Sequence, residues 1–196
     1  MILVIDTAEA ACSVALVEGL ACIDEYHEVV GRGHAERLVP AVGALLGGRT
    51  PDAVCVDCGP GSFTGLRVGL AAARAFGLAW GVPVSGYSST AILAAAAFAS
   101  HNDSELATVQ MGGHGELFVE AFSRDGLVTT RPLASLTPDK ARDYVAGLRA
   151  VGSGAALIGG EAGSWPRAAD LVRLPPERRS LPPRPIYGRG ADAKPQ

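Results

Sequence analysis

Residues 59–69 read GPGSFTGLRVG and lie between a strand-like and a helix-like segment. Backbone N–H groups at the start of a helix can bind an anion, and glycines let that anion approach closely. The stretch lacks the G-x-x-x-x-G-K-[ST] spacing of a phosphate-binding loop, and Pro60 stands where a G-x-S-x-G nucleophile turn has its first glycine. Two interpretations stay open: an anion-binding loop, or a tight turn in which Ser62 or Thr64 caps the helix.

Three carboxylates are candidates for a metal site. Asp6 ends the first strand-like segment and is followed by Thr7, a pair that could hold Mg²⁺ or order water near a phosphate. Glu36 and Asp57 complete a trio in the order that ribonuclease-H nucleases use with two metal ions. In the alternative, which we prefer, Glu36 is a solvated helix residue and Asp57 a charge at a strand end. No zinc-site spacing is found among the histidines, which are His27, His34, His101 and His114.

The composition is that of a folded protein with a sizeable core. The chain has 196 residues, of which 48% are hydrophobic and 19% charged. No apolar run reaches the roughly 20 residues of a membrane span, and no basic segment precedes the first apolar run, so we expect a cytoplasmic protein without a membrane partner. The four cysteines are expected to be free thiols.

Charge is unevenly distributed along the chain. The net charge is −3, yet the segment from residue 173 onward holds six basic residues against two acidic ones. The acidic body argues against broad nucleic-acid binding by this chain alone. The basic tail could contact an acidic partner or RNA.

The elements that must position these residues follow from hydrophobic periodicity. The segments ILVID, CSVALVE and LACIDEYHE predict three consecutive strands in an antiparallel meander. A helix from His34, a strand at DAVCVDCG, a long helix from Thr64, a strand at VPVSG and a helix at SSTAILAAAAFAS follow. The predicted order of the first half is β-β-β-α-β-α-β-α.

The second half is predicted to be a shortened copy of the first. Strands are expected at ELATVQM, GELFVEAFS and GLVTTRPLASL, a helix from Thr137, and one more strand within GAALIGGEAG. The segment from Pro175 is rich in proline and arginine and is expected to be extended. The predicted domains are residues 1–100, 101–172 and 173–196.

Small residues recur every fourth position along the long helix. Gly65, Gly69, Ala73 and Gly77 fall on one face, and each glycine costs about 0.5–1 kcal/mol relative to alanine inside a helix. A close contact must compensate this cost. We expect a helix-helix interface, and the alternative is packing against the chain's own sheet.

This order of elements suggests the actin-like ATPase (ASKHA) fold, an α/β fold of two ribonuclease-H-like halves, here with a shortened second half. Within that fold, the segments ILVIDTAEAACSVAL, GHAERLVPAVGALL, GPGSFTGLRVGLAAARAFG and PIYGRGADA closely resemble the TsaB family, also called YeaZ. The resemblance covers almost the whole chain, and GPGSFTGLRVG is its most specific part.

The resemblance implies a non-catalytic subunit of the bacterial machinery that makes threonylcarbamoyladenosine in tRNA. In that machinery the transferase TsaD modifies the tRNA and TsaE is an ATPase. The implied partners are TsaD and TsaE, tRNA through the complex, and a second copy when the chain is alone. ATP and Mg²⁺ are implied only through the partners, with no cofactor held firmly by this chain. Ser89 and Leu93 match the metal-binding histidines of the related transferase, and leucine cannot bind a metal.

The resemblance also implies three sets of site residues. The partner interface would comprise His34, Leu38, Val42, Leu45, Gly65, Leu66, Gly69, Ala73, Arg74 and Gly77. A remnant phosphate loop would comprise Asp6, Thr7, Gly59, Gly61, Ser62 and Thr64. The tail would contact the partner through Pro185, Tyr187 and Arg189. The chain departs from the family at Met111, Gly112 and Gly113, where the family usually has Asp-Ala-Arg.

Two enzymatic alternatives accompany this expectation. One is a hydrolase, either a ribonuclease-H-like nuclease that uses Asp6, Glu36 and Asp57 or a glycoprotease-like enzyme. The other is an ATP-dependent small-molecule kinase that uses the loop beginning at Gly59.

Overall fold

The computed structural model describes residues 1–161 and 163–188, and the first half contains a five-stranded sheet. Its strands are β1 (Ile2–Asp6), β2 (Ala11–Glu18), β3 (Ala21–Val29), β4 (Ala53–Asp57) and β5 (Val84–Tyr87). They are ordered β3-β2-β1-β4-β5, with β1, β2 and β3 antiparallel and β4 parallel to both β1 and β5. The predicted opening meander is confirmed.

Three helices cover the two faces of this sheet. They are α1 (His34–Leu46), α2 (Phe63–Trp80) and α3 (Ser89–Ser100). Along β1, Leu3 and Ile5 pack with α1 and α2, while Val4 faces α3, because successive strand residues point to opposite faces. The strand is therefore apolar up to its last residue, Asp6, as expected for a sheet buried on both sides.

The second half repeats the first with fewer elements. Its sheet contains β6 (Glu105–Gly113), β7 (Glu116–Ser123), β8 (Thr129–Leu136) and β9 (Arg149–Val151), and helix α4 (Pro138–Tyr144) packs beside it. The order β8-β7-β6-β9 matches the first four strands of the larger sheet, and β9 is parallel to β6 as β4 is to β1. The fold is thus the predicted α/β fold of the actin-like ATPase class with a shortened second half.

The prediction of a strand within GAALIGGEAG is wrong. Ala155–Ile158 form a 3₁₀ helix, and the strand at this position is β9, a few residues earlier. Gly152 turns the chain after β9 with a left-handed φ of 120°, and the Gly154 N–H then donates to the Val109 carbonyl. A short apolar run does not by itself distinguish a strand from a buried helical turn.

The segment after residue 165 returns to the first half. It contains two short 3₁₀ helices, Ala168–Arg173 and Pro176–Arg179, so the expectation of a wholly extended tail is wrong at its start. Leu181 then bridges to Gly86 on β5, and the Ile186 N–H donates to the Cys58 carbonyl at 2.6 Å. The described part of the tail therefore covers the β5 edge of the first sheet. The predicted domain boundaries stay predictions.

In the part of the chain that the structure describes, no helix combines the length and apolar character that a membrane span requires.

Candidate functional site

Asp6 and Asp57 lie together because they end two neighbouring parallel strands, β1 and β4. Each carboxylate is 2% exposed and already hydrogen-bonded by this chain. Asp57 accepts from the Ser89 hydroxyl at 2.6 and 2.8 Å and from the Gly59 N–H at 2.7 Å. Asp6 accepts from the Tyr87 hydroxyl at 3.1 Å and from the Ala8 N–H at 3.2 Å. The pair thus joins β1, β4, β5 and the start of α3.

Burial sets the electrostatics of this pair. Burial, and then the charge of Asp57, raise the pKa of Asp6 well above its ordinary value. Burial also raises the pKa of Asp57 to about 6, although Ser89 and Gly59 hydrogen bonds act in the opposite direction. Two buried carboxylates side by side do not both ionise readily, so Asp6 retains its proton more strongly than Asp57 does.

The carboxylate trio of a nuclease is not brought together. Glu36 is exposed on α1, whereas Asp6 and Asp57 are buried and hydrogen-bonded within the fold. Within residues 1–161 and 163–188, no group of three or more histidine, cysteine, aspartate or glutamate side chains could hold a metal ion.

Residues 59–64 form a tight turn that is bonded to the turn between β1 and β2. The Ser62 N–H donates to the Ala8 carbonyl at 2.6 Å, and a Cβ on Gly61 would collide with the same carbonyl. The Ser62 hydroxyl caps α2 by accepting from the Gly65 N–H at 3.2 Å. The structure therefore favours the tight-turn interpretation, and Ser62, not Thr64, is the cap.

The small-residue row of α2 faces the chain's own sheet, so its prediction as a docking groove is wrong. A Cβ on Gly65 would collide with the Thr7 carbonyl, one on Gly69 would lie 2.5 Å from the Thr7 hydroxyl oxygen, and one on Gly77 would collide with Val84. The Thr7 hydroxyl also donates to the Gly65 carbonyl at 2.8 Å. The compensating contact for the glycines is internal.

Most of the other predicted interface residues are also buried in this chain. The buried set is His34, Leu38, Val42, Leu45, Gly65, Leu66, Gly69, Ala73 and Gly77, and only Arg74 of the predicted interface is exposed. The reason is helical periodicity, because the apolar stripe of each helix packs on the sheet. His34 places its Nε2 atom 2.8 Å from the Glu9 carbonyl, which fixes the start of α1.

The outer sides of α1 and α2 carry apolar residues that the core does not use. Leu78 is 86% exposed and Val39 is 57% exposed. We call the exposed residues on these two sides the α1–α2 face. They are Val39, Gly43, Ala44, Ala71, Ala75, Leu78 and Ala79. The sequence predicted an interface on these two helices but on their inner sides, because the regular glycine spacing was taken as the mark of a partner contact. Val39 and Leu78 lie outside both core stripes.

The described tail residues contact α2 at two places, its first residue Phe63 and Arg74 in its second half. The Tyr187 ring lies 6.1 Å from the Phe63 ring, and the Pro183 carbonyl accepts from Arg74 at 2.6 Å. Pro185 is half-buried. Arg189, the third predicted tail contact, lies outside the described residues.

A cleft between the two halves contains a buried carboxyl group that sequence reasoning missed. Glu9, in the turn after β1, is 8% exposed, and it accepts from the Ser153 hydroxyl and, at 3.3 Å, from the Gln110 amide. Burial raises the pKa of Glu9 to about 7. Its partners lie more than 100 positions away in the chain, so no local pattern indicated this site.

Comparisons with known proteins agree with this fold. The family model described as TsaD, tRNA N6-adenosine threonylcarbamoyltransferase, matches residues 26–130, just over half of the chain. A solved structure of YeaZ from Pseudomonas aeruginosa superposes with a TM-score of 0.79 and 26% identity over 95% of this chain and 98% of that one. The chain therefore belongs to the family that this model describes, and the model is named for a tRNA-modifying transferase. Its fold is of the actin-like ATPase class.

Similar curated proteins narrow this assignment. The tRNA threonylcarbamoyladenosine biosynthesis protein TsaB of Escherichia coli is 33% identical over 129 residues, covering 63% of this chain and 55% of that protein. An uncharacterized protein of Mycobacterium tuberculosis is 47% identical over 92 residues, covering 43% of this chain and 44% of that protein. The chain spans about half the length of these curated relatives. Together with the structural match, they show that the chain belongs to the TsaB/YeaZ family.

Proposed function

We propose that this chain is a non-catalytic scaffold subunit of the machinery that makes threonylcarbamoyladenosine in tRNA. It binds a TsaD-type transferase and supports its reaction together with the ATPase TsaE. The proposal is supported by the likeness to proteins named TsaB and by the family model named for the transferase. Under this proposal, ATP and Mg²⁺ act through the partners, tRNA is bound by the assembled complex, and the assembly works in the cytoplasm.

The α1–α2 face is the surface that we propose for the transferase. Burying a leucine side chain contributes about 1.5–3 kcal/mol, and Leu78 is left almost fully exposed at the centre of a row of exposed alanines. Alanines on both sides of Leu78 let another helix approach closely. A standard interface buries on the order of 800 Å² per partner. In the absence of the transferase, a second copy would occupy the same face.

The residues that match the transferase's metal ligands support a non-catalytic role. Ser89 is fully buried and donates to Asp57, and Leu93 is 3% exposed in the core beside α3's other apolar residues. Asp6 and Asp57 are occupied by hydrogen bonds from Tyr87, Ser89 and the backbone. These positions serve packing in this chain.

The scaffold role is tested by reconstituting the modification reaction from purified transferase, ATPase, tRNA, threonylcarbamoyl-adenylate and ATP. We expect modified adenosine only when this chain is added, and none from this chain alone. Copurification with the transferase from the native cell is expected at equal stoichiometry. Full modification without this chain would contradict the proposal, as would modification by this chain in the absence of the transferase.

A further inference from the structure

A cavity of about 830 Å³ opens between the two halves at the N-terminal end of α2, whereas Leu78 lies near the other end of that helix. Small-molecule sites are typically clefts of about 300–1,000 Å³ with mainly apolar walls and a few convergent polar groups. The cavity has the size and the mixed lining of such a site. The scaffold role proposed above makes no use of it.

Aromatic side chains form much of the wall. Phe63 at the start of α2 and Tyr187 from the tail lie with ring centroids 6.1 Å apart, and Phe118 and Trp165 line the same cavity. Aromatic faces bind flat rings by offset or edge-to-face stacking. Four aromatic residues around one cavity are a large share of a chain that is only 6% aromatic.

The Arg67 side chain supplies a positive charge at this wall. Its guanidinium sits 3.6 Å from the centre of the Phe63 ring, and none of the carboxylates that the structure describes pairs with it. Arginine binds carboxylate and phosphate groups through two parallel hydrogen bonds. An anionic group of a bound molecule would give Arg67 the partner that the described residues do not supply.

The carboxyl group of Glu9 provides a fixed acceptor in the same cavity. Ser153 and Gln110 hold it in place, and both come from the second half of the chain. Behind it, the Gln110 Oε1 atom is buried and has no hydrogen-bond partner among the described residues. Buried polar atoms are nearly always paired, so the unpaired Gln110 oxygen leaves spare hydrogen-bonding capacity next to Glu9, although Gln110 itself does not line the cavity.

The family departure noted in the sequence lies on the opposite wall. Met111, Gly112 and Gly113 line the cavity, at positions where the family usually has Asp-Ala-Arg. A Cβ on Gly113 would meet no atom within 4 Å. The departure therefore leaves this wall uncharged and open in this chain.

We propose that the cavity binds a small organic anion that carries a flat aromatic ring. The ring stacks on the aromatic wall, the anionic group binds Arg67, and an N–H or amino group on the ring donates to Glu9. A metal-bound triphosphate does not fit, because Asp6 and Asp57 are occupied and the Gly61 turn is closed against Ala8. The ligand binds and dissociates reversibly. The proposal does not rest on the scaffold role.

Calorimetric titration of the full chain tests this proposal. Two probes carry a ring and an anion, AMP with a phosphate and indole-3-acetate with a carboxylate, and they distinguish the two sources of charge. Adenosine supplies the ring alone and inorganic phosphate the charge alone. We expect one-to-one binding of at least one ring anion with a Kd below about 1 mM, and at least about tenfold weaker binding of the half-probes.

Paired variants locate the binding. Arg67→Gln is expected to weaken binding of the ring anion by about tenfold, and Trp165→Ala is expected to weaken it by a similar factor. Arg142→Gln is the control, because Arg142 is exposed on α4, pairs with Asp139 and does not line the cavity. Circular dichroism checks that each variant is folded. The proposal is overturned if neither ring anion saturates below about 1 mM, or if both cavity variants bind as tightly as the unmodified chain.

Discussion

The two sides of α2 carry similar small residues and have different environments. The inner row, Gly65, Gly69, Ala73 and Gly77, touches β1, β4 and β5 so closely that a methyl group does not fit at the glycines. The outer row, Ala71, Ala75, Leu78 and Ala79, is exposed. A repeat of small residues thus indicates close packing, but it does not tell whether the helix packs on the chain's own sheet or on a partner. The glycines belong to the fold, and the alanines with Leu78 are free for a partner.

The inner row gives the largest predicted effect. Gly65→Ala places a Cβ against the Thr7 carbonyl, which is backbone and cannot move aside cheaply, so we expect a loss of about 2–4 kcal/mol in the free energy of unfolding. The matched control is Gly43→Ala on the outer side of α1, where the Cβ meets nothing within 4 Å and helix propensity should add about 0.5–1 kcal/mol. Urea denaturation measures both. Equal stabilities for the two variants would contradict the assignment of the inner row.

The carboxylate pair beneath this row gives the next effect. Ser89→Ala removes the hydroxyl that donates to Asp57 and leaves a buried carboxylate less satisfied, at an expected cost of about 1–3 kcal/mol. Ser100→Ala, exposed at the end of the same helix, should change stability by less than about 0.5 kcal/mol. Thermal unfolding of the two variants provides the test, and an unchanged melting temperature for Ser89→Ala would show that the bond to Asp57 contributes nothing.

A smaller effect is predicted for the dependence of stability on pH. Burial raises the pKa of Glu9 from 4.5 to about 7, so the folded chain keeps a proton that the unfolded chain releases. Stability contributed by this group is full below about pH 4.5 and is lost as pH rises to about 7. The raised pKa values of Asp6 and Asp57 act in the same direction.

Glu9→Gln should therefore flatten the decline in stability between about pH 5 and pH 8 by about 1–2 kcal/mol. Glu18→Gln, exposed at the end of β2, is the control and should leave the profile unchanged. Denaturation at each pH measures the slope. A Glu9→Gln profile that matches the unmodified chain would contradict the burial of a proton-binding carboxyl group in the cleft.

Local patterns predicted most of the fold and only part of the site. Hydrophobic runs predicted β1 to β3, and Gly47 and Gly81 end α1 and α2 in left-handed conformation. The apolar run at Ala155–Ile158 was ambiguous because three or four residues fit a strand and a helical turn equally well. Glu9 was missed because its burial depends on Gln110 and Ser153, which only the three-dimensional fold brings near. Periodicity also could not tell whether the glycine row faces sheet or partner.

Binding of the transferase to the outer side of α1 and α2 is checked by calorimetric titration of this chain with purified TsaD. Leu78→Arg places a charge in the proposed interface and should weaken binding by at least about tenfold while leaving the melting temperature unchanged. Leu20→Arg, 80% exposed in the turn between β2 and β3, should bind as the unmodified chain does. Unchanged affinity for Leu78→Arg, or equal loss in both variants, would contradict the proposed role of the α1–α2 face.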